Sequence, residues 1–210
     1  MAAVSMCAIQ VSKAERTRRS IQKAGRQVLS ERGLCVPINE LAAAAGVSRA
    51  SFYNYFSSAE ALFDSLIVDA ALELNVLIDN SFEQISDPAL RVANGIRHYC
   101  LRAAADPEWA DFMLRFALTQ SKLIAVMEKS LLRDVRLGVQ NGIFRLPQSQ
   151  EVMVVLMVGG AVLSAISAVR MGLLSAEQAG QQTAELVLRA LGDEPEHALQ
   201  TSRAALMQLG

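Results

Sequence analysis

Apolar residues recur along this chain at intervals of three and four, the spacing that gathers them on one face of an α-helix. Ile21, Ala24, Val28 and Leu29 form the first stripe and predict a helix from Ser12 to about Arg32, stopped by Gly33. Ile38, Leu41 and Ala45 predict a short second helix, and Val47, Phe52 and Phe56 a third that begins at Arg49. From Leu62 through Phe63, Leu66, Ile67, Ala70, Ala71, Leu74 and Leu77 to Ile78 the stripe is wide. It covers about six turns at ~3.6 residues each and predicts a fourth helix from Ser58 to Asn80. That helix is too long to serve a small N-terminal module alone, so its later turns are expected in a second core.

Asp87-Pro88 breaks the pattern, and helices resume over Ala89 to Ala105, Glu108 to Leu118 and Ser121 to Gln140. Asp106-Pro107, Asn141-Gly142 and Pro147 mark the breaks between them. Val152 to Val169 is a run without charge, between Glu151 and Arg170. By length it reaches the lower limit of a membrane span. It has no Trp or Tyr belt and no flanking basic cluster, which favours a helix buried in a soluble assembly. Gly159, Gly160, Ala161, Ser164, Ala165 and Ala168 let another helix approach it closely. A helix apolar on nearly all sides must be covered on all sides, and one chain supplies only part of that cover. Ser175 to Leu191 predicts a ninth helix, and Glu196 to Gln208 a short accessory one. No period-two run is sustained, and Asn141-Gly142 ends a helical pattern rather than joining two strands. The expected fold class is all-α, with about nine or ten helices.

Composition agrees: 52% of the 210 residues are hydrophobic and only 5% aromatic, which suits helix-on-helix packing. The net charge of −1 hides an asymmetry. Residues 1–58 hold eight basic residues (Lys13, Arg16, Arg18, Arg19, Lys23, Arg26, Arg32, Arg49) against Glu15, Glu31 and Glu40. That end is basic and the remainder acidic, as fits a DNA-contacting module on a body that avoids DNA. A solvated charged helix would show the same split. Arg16, Arg18, Arg19 and Lys23 crowd the first half of the first helix, where cations oppose the macrodipole; phosphate contact is a reason for them to be there.

Cys7, Cys35 and Cys100 make neither a disulfide framework nor a zinc spacing, which points to a reducing cytoplasm. Residues 1–12 are uncharged and precede the basic run, unlike a signal peptide, and read as a loose arm. His98 and His197 stand in no nucleophile or metal spacing, and no glycine loop cradles phosphate. No catalytic residue, metal or cofactor is therefore assigned, and an enzyme is not expected.

Ile38 to Phe56 reads as two helices around a tight turn. Gly46 occupies the position where a chain leaving a helix needs positive φ. Ser48 follows as an N-cap for the next helix. This is the pattern of a helix-turn-helix, whose second helix enters the major groove. Phe52 and Phe56 lie at i, i+4 on the inner face, which turns Tyr53 towards solvent.

Leu41 to Phe56 with the following Ser-Ser-Ala-Glu-Ala-Leu, and Arg18, Ile21, Ala24, Leu29 and Gly33 upstream, resembles the DNA-binding signature of the TetR family of bacterial transcription regulators. The resemblance covers residues 16–66, about a quarter of the chain. It implies a helix-turn-helix domain over 13–57 and a helical ligand-binding and dimerisation domain over 58–210, after an arm at 1–12. It implies DNA contact by Arg16 and Arg19 on the first helix, by Arg49, Ala50, Ser51 and Tyr53 nearest the bases, and by Ser48, Ser51 and Tyr55 on the backbone. Arg is the best bidentate reader of guanine. Pro37 replaces a family Thr or Ser that caps onto phosphate, and Ala59 replaces a Lys, so two phosphate contacts are expected to be missing.

The resemblance also implies a homodimer through the helices at 149–171 and 175–191, a near-palindromic duplex operator, and a small apolar or amphipathic effector that releases it. Tyr99, Cys100, Trp109, Phe112, Met113, Phe116 and Met127 are candidate pocket residues, large or deformable. Ordinary core packing is the alternative for each. Arg97, Arg102 and Arg115 are candidates to meet an acidic ligand, with exposed surface charge the favoured expectation. The rival functions are a thiol sensor built on Cys100, an unspecific nucleoid binder, and a membrane-associated protein built on Val152 to Val169.

Overall fold

The computed structural model describes residues 12–32, 36–82, 85–116 and 121–208. The expected arm (save Ser12), the stop at Gly33, Cys7 and Cys35 lie outside the described residues, as do the side chains of Phe116 and Met127. Among the described residues ten α-helices follow in order: α1 (Lys13–Arg32), α2 (Ile38–Ala44), α3 (Arg49–Tyr53), α4 (Ala59–Ser81), α5 (Pro88–Ala105), α6 (Pro107–Phe116), α7 (Ser121–Gln140), α8 (Glu151–Arg170), α9 (Ala176–Ala190) and α10 (Pro195–Arg203). Among the described residues there is no strand, so the all-α expectation holds.

Local chemistry accounts for most of the boundaries. Asp87 caps α5 by accepting from the N–H groups of Ala89 and Leu90, and Pro88 fills the first turn, where its missing N–H is no loss. Ser175 and Gln178 form a reciprocal capping box at the start of α9. The tail helix is shorter than its pattern suggested: it ends at Arg203, and 204–208 continue without helix.

The chain divides into two compact units between Leu66 and Ile67. The first has a core of Ile21, Leu41, Phe52, Phe56, Leu62, Phe63 and Leu66, each at most 4% exposed. It joins α1, α2, α3 and the start of α4. In the second unit α5 is central and packs against α6, α7, α8, α9 and α10. Its approach to α9 is close: a Cβ on Gly180 would stand 3.0 Å from the Arg97 Cα.

α8 buries Val154, Val155, Val158, Val162, Ala165 and Ile166 within the second unit. Only a third of its most apolar stretch is buried. Val152, Met153, Leu156 and Met157 remain exposed along one stripe, and Leu186 of α9 is 67% exposed.

Arg97 departs from expectation. It is buried at 7% exposure, because the segment after α10 closes over it: its guanidinium donates to the Ala204 carbonyl at 2.7 Å. His98 beside it contacts the Met207 carbonyl at 2.8 Å. Arg102 pairs with Asp106 at 2.9 Å, with its guanidinium 5.8 Å from the Trp109 ring centre, while Arg115 is exposed as expected.

Candidate nucleic-acid interface and effector cavity

The turn between α2 and α3 is set by two backbone bonds. Val47 N–H donates to Ala42 O at 2.9 Å and Gly46 N–H to Ala43 O at 3.0 Å. These are the paired bonds of a Schellman stop, and they need a residue with positive φ, supplied by Gly46 at 68°. Ser48 then caps α3, its hydroxyl accepting from the Ser51 N–H at 3.0 Å. Its own O–H stays available as a donor. Ser20 ties α1 to the turn by donating to Ala45 O at 3.3 Å.

On this support Phe52 and Phe56 point inward, at 0% and 4% exposure, with ring centres 5.9 Å apart. Tyr53 is 43% exposed and meets Phe52 edge-on. Arg49 and Ala50 are exposed, and Ser51 and Tyr55 half-buried. The Arg49 guanidinium lies 5.7 Å from the Tyr53 ring centre and 3.4 Å from its hydroxyl, one turn along the same face. Arg and Tyr thus form one outward patch of two donors that runs from the first residue of α3 to its last.

Arg16 and Arg19 are exposed on α1, and Arg19 pairs with Glu15 at 2.8 Å. Such a pair, open to water on both sides, is worth about 0–1 kcal/mol and yields readily to a phosphate. Arg18 lies 5.6 Å from the Phe56 ring centre.

The second unit holds a cavity lined by α4, α5, α7 and α8. Asn75, Ile78 and Asp79 face Arg91, Val92, Gly95, Ile96 and Tyr99, with Ser130, Leu131, Asp134, Val158 and Val162 completing it. It encloses about 70 Å³ and opens outward; with the mouth included the atom-free space is about 550 Å³. Arg91 bonds Asp134 at 2.9 Å, and Arg133 bonds both Asp79 and Asp134 at 2.9 Å. Ser130 donates to Asp79, and Arg91 to the Phe82 carbonyl. A second depression shares Asp79, Arg91 and Asp134 with the first, so this cluster stands between the two spaces.

Of the sequence candidates, Tyr99 alone lines this cavity among the described residues, its hydroxyl donating to Asn75 Oδ1 at 3.1 Å. Burial pushes that hydroxyl above its ordinary pKa, so it remains a neutral donor. Trp109 is buried with its ring centre 5.9 Å from that of Tyr99, and Phe112 and Met113 are buried beside it in α6. Cys100 packs with Ala165 and Ala179, and burial pushes its thiol up to about 12. Asn75, Asp79, Arg91, Ser130 and Asp134 are the polar lining that sequence reading missed, and Arg133, which bonds both aspartates, lines the second depression. The one available signal was Ser130 one turn before Arg133-Asp134, on the same face of α7. Among the described residues no three His, Cys, Asp or Glu side chains gather as a metal site.

A pinned three-helix support with an exposed Arg-Tyr face defines a helix-turn-helix protein, here joined to a helical unit with an internal cavity. Residues 21–66 match the family model for bacterial regulatory proteins of the tetR family, and residues 87–203 that for the tetracyclin repressor-like C-terminal domain. The chain belongs to the TetR family of transcription regulators and is a DNA-binding protein. Among solved structures it is similar to RolR in complex with resorcinol, at 26% identity and a TM-score of 0.75, over 94% of this chain and 98% of that one. It is similar to SmeT, the repressor of the Stenotrophomonas maltophilia multidrug efflux pump SmeDEF, at 18% identity and a TM-score of 0.67, over 85% and 92%. A tetR family regulator from Shewanella sp. PV-4 matches at 17% identity and a TM-score of 0.74, over 83% and 97%. No curated protein matches the chain in sequence.

Proposed function

We propose that this protein is a cytoplasmic, homodimeric repressor that leaves a near-palindromic operator when a small apolar or amphipathic effector fills the cavity of its second unit. The observation that carries the reading is the outward Arg49–Tyr53 patch on a support whose turn and cap are fully bonded. In this reading Arg49, Ala50, Ser51 and Tyr53 read base edges, and Ser48, Tyr55, Arg16 and Arg19 hold phosphates. A dimer sets two such patches about one duplex turn apart, ~34–36 Å. The exposed stripes of α8 and α9 are its interface: an apolar surface of this kind needs cover.

The effector's lever is α4, which contributes Asn75, Ile78 and Asp79 to the cavity and begins at Ala59 in the DNA-binding unit. Moving a two-state equilibrium from 1:99 to 99:1 needs ~5.5 kcal/mol of differential binding, which two cavities per dimer can share. RolR, whose structure holds resorcinol, supports an effector of that size. The thiol-sensor reading has little support, because a thiol pushed up to about 12 and packed among Ala165 and Ala179 offers almost no thiolate.

The test is a gel-shift titration against the promoter next to its own gene. A discrete shifted band at low salt that survives competitor DNA is expected; no band would end the reading.

A further inference from the structure

The cavity carries a polar pattern that narrows the chemistry of its occupant, an inference that rests on the regulator reading above. Asn75 is the informative residue. Its Oδ1 accepts the Tyr99 hydroxyl at 3.1 Å, while its Nδ2 is buried with no hydrogen-bond partner. Leaving such a group unpaired costs about 1–3 kcal/mol, and native proteins keep few of them. Turning the amide over pairs Nδ2 with the Tyr99 oxygen and orphans Oδ1 instead. One end is open either way, and a hydroxyl, donor and acceptor at once, satisfies both cases.

Charge narrows the class further. Two guanidinium groups, Arg91 and Arg133, already face two carboxylates, Asp79 and Asp134. A ligand carboxylate would have to displace an aspartate, and an ammonium an arginine; neither finds an unmatched counter-charge. Uncharged O–H groups need displace nothing, because Asp79 Oδ2 and Asp134 Oδ2 each accept a single bond, from Ser130 and Arg133, and keep a lone pair.

The other walls are apolar: Ile78, Val92, Ile96, Val158 and Val162. The enclosed 70 Å³ is less than the ~150 Å³ cavity known to hold benzene. One ring therefore already fills the enclosed part and extends into the mouth.

We propose that the effector is an uncharged, single-ring compound carrying at least two hydroxyl groups. One hydroxyl meets the open end of the Asn75 amide, another the Asp79–Asp134 carboxylates, and the ring lies against the aliphatic wall. Asn75 is the specificity-determining residue.

Calorimetry on the full chain without DNA tests this with four probes of one size: resorcinol, benzoate, benzylammonium and toluene. Resorcinol is expected to bind at least tenfold more tightly than the other three. Asn75→Leu is expected to weaken resorcinol at least tenfold and to leave toluene unchanged or tighter. Benzoate or benzylammonium matching resorcinol would overturn the proposal, as would a folded Asn75→Leu variant that keeps resorcinol affinity, or a wild type that binds none of the four. The probe ranking on the wild type decides the matter even where the variant does not fold. Because DNA is absent from this measurement, a failed gel shift strikes the regulator reading and a failed ranking strikes only this one.

Discussion

Arg49 and Arg19 are both exposed cations of the first unit, yet they predict different losses. Arg49 begins α3 and shares its patch with Tyr53 at 3.4 Å, and in the proposed reading its loss removes a base contact. Arg49→Ala should cost about 1–3 kcal/mol on the operator and little on random DNA. Arg19→Ala should weaken all DNA alike and make the salt slope shallower by about one unit. Fluorescence anisotropy on both duplexes, at three salt concentrations, separates the two. Ser48, Gly46 and Phe52 were legible in the sequence because their partners lie within five residues. Arg97 and Asn75 were not: Arg97 meets Ala204, 107 residues away, and Asn75 meets Tyr99, 24 residues away on another helix. A guanidinium in a sequence reads as surface until something far along the chain folds over it.

Helices were the most legible level, since a stripe at 3.6 residues and a cap are both local properties. Ends moved by a residue or two, and the tail helix ended early at Arg203, after which the Ala204 and Met207 carbonyls meet Arg97 and His98 instead. What the stripes do not reveal is which helices touch, and there glycines decide. Gly180 lets α9 close on α5: an added Cβ would lie 3.0 Å from Arg97 Cα, and backbone yields less readily than a side-chain end. Gly95 of α5, by contrast, has nothing within 4 Å of an added Cβ. Overpacking costs typically ~1–3 kcal/mol, whereas Gly to Ala inside an open helix gains up to ~1 kcal/mol. Gly180→Ala should therefore lower the melting temperature by several degrees, and Gly95→Ala should hold or raise it, as read by circular dichroism. The cavity was half legible for the same reason: Tyr99 was singled out for its size, whereas the Asp79–Arg91–Asp134 cluster draws on three helices, with Arg91 and Asp134 43 residues apart.

At the scale of the whole molecule, acid and assembly each probe how the chain holds together. His98 is pushed below its ordinary pKa by burial, with the Met207 carbonyl opposing and Arg97 adding to the effect. Its folded form thus stays neutral where the unfolded chain takes up a proton. Stability is full above about pH 6.5 and falls as pH drops from there towards the folded pKa. A melting series between pH 7.5 and 5.5 should show this fall, and His98→Gln should flatten it. Assembly is tested on α8, whose composition passes for a membrane span at a mean hydropathy of 2.5 although it buries Val154, Val158 and Ile166 within its own unit. Val152, Met153, Leu156 and Met157 lie outside that core on one stripe. If the stripe is the seam of a dimer, a carboxylate at Leu156 meets its own copy across the two-fold axis and stays unpaired. Leu156→Glu should then leave the helical content unchanged, halve the mass seen by light scattering, and cost the operator at least ~100-fold in affinity, since a lone protomer reads one half-site. A variant that stays dimeric, or a monomer that keeps full operator affinity, would break the link between this apolar face and DNA recognition.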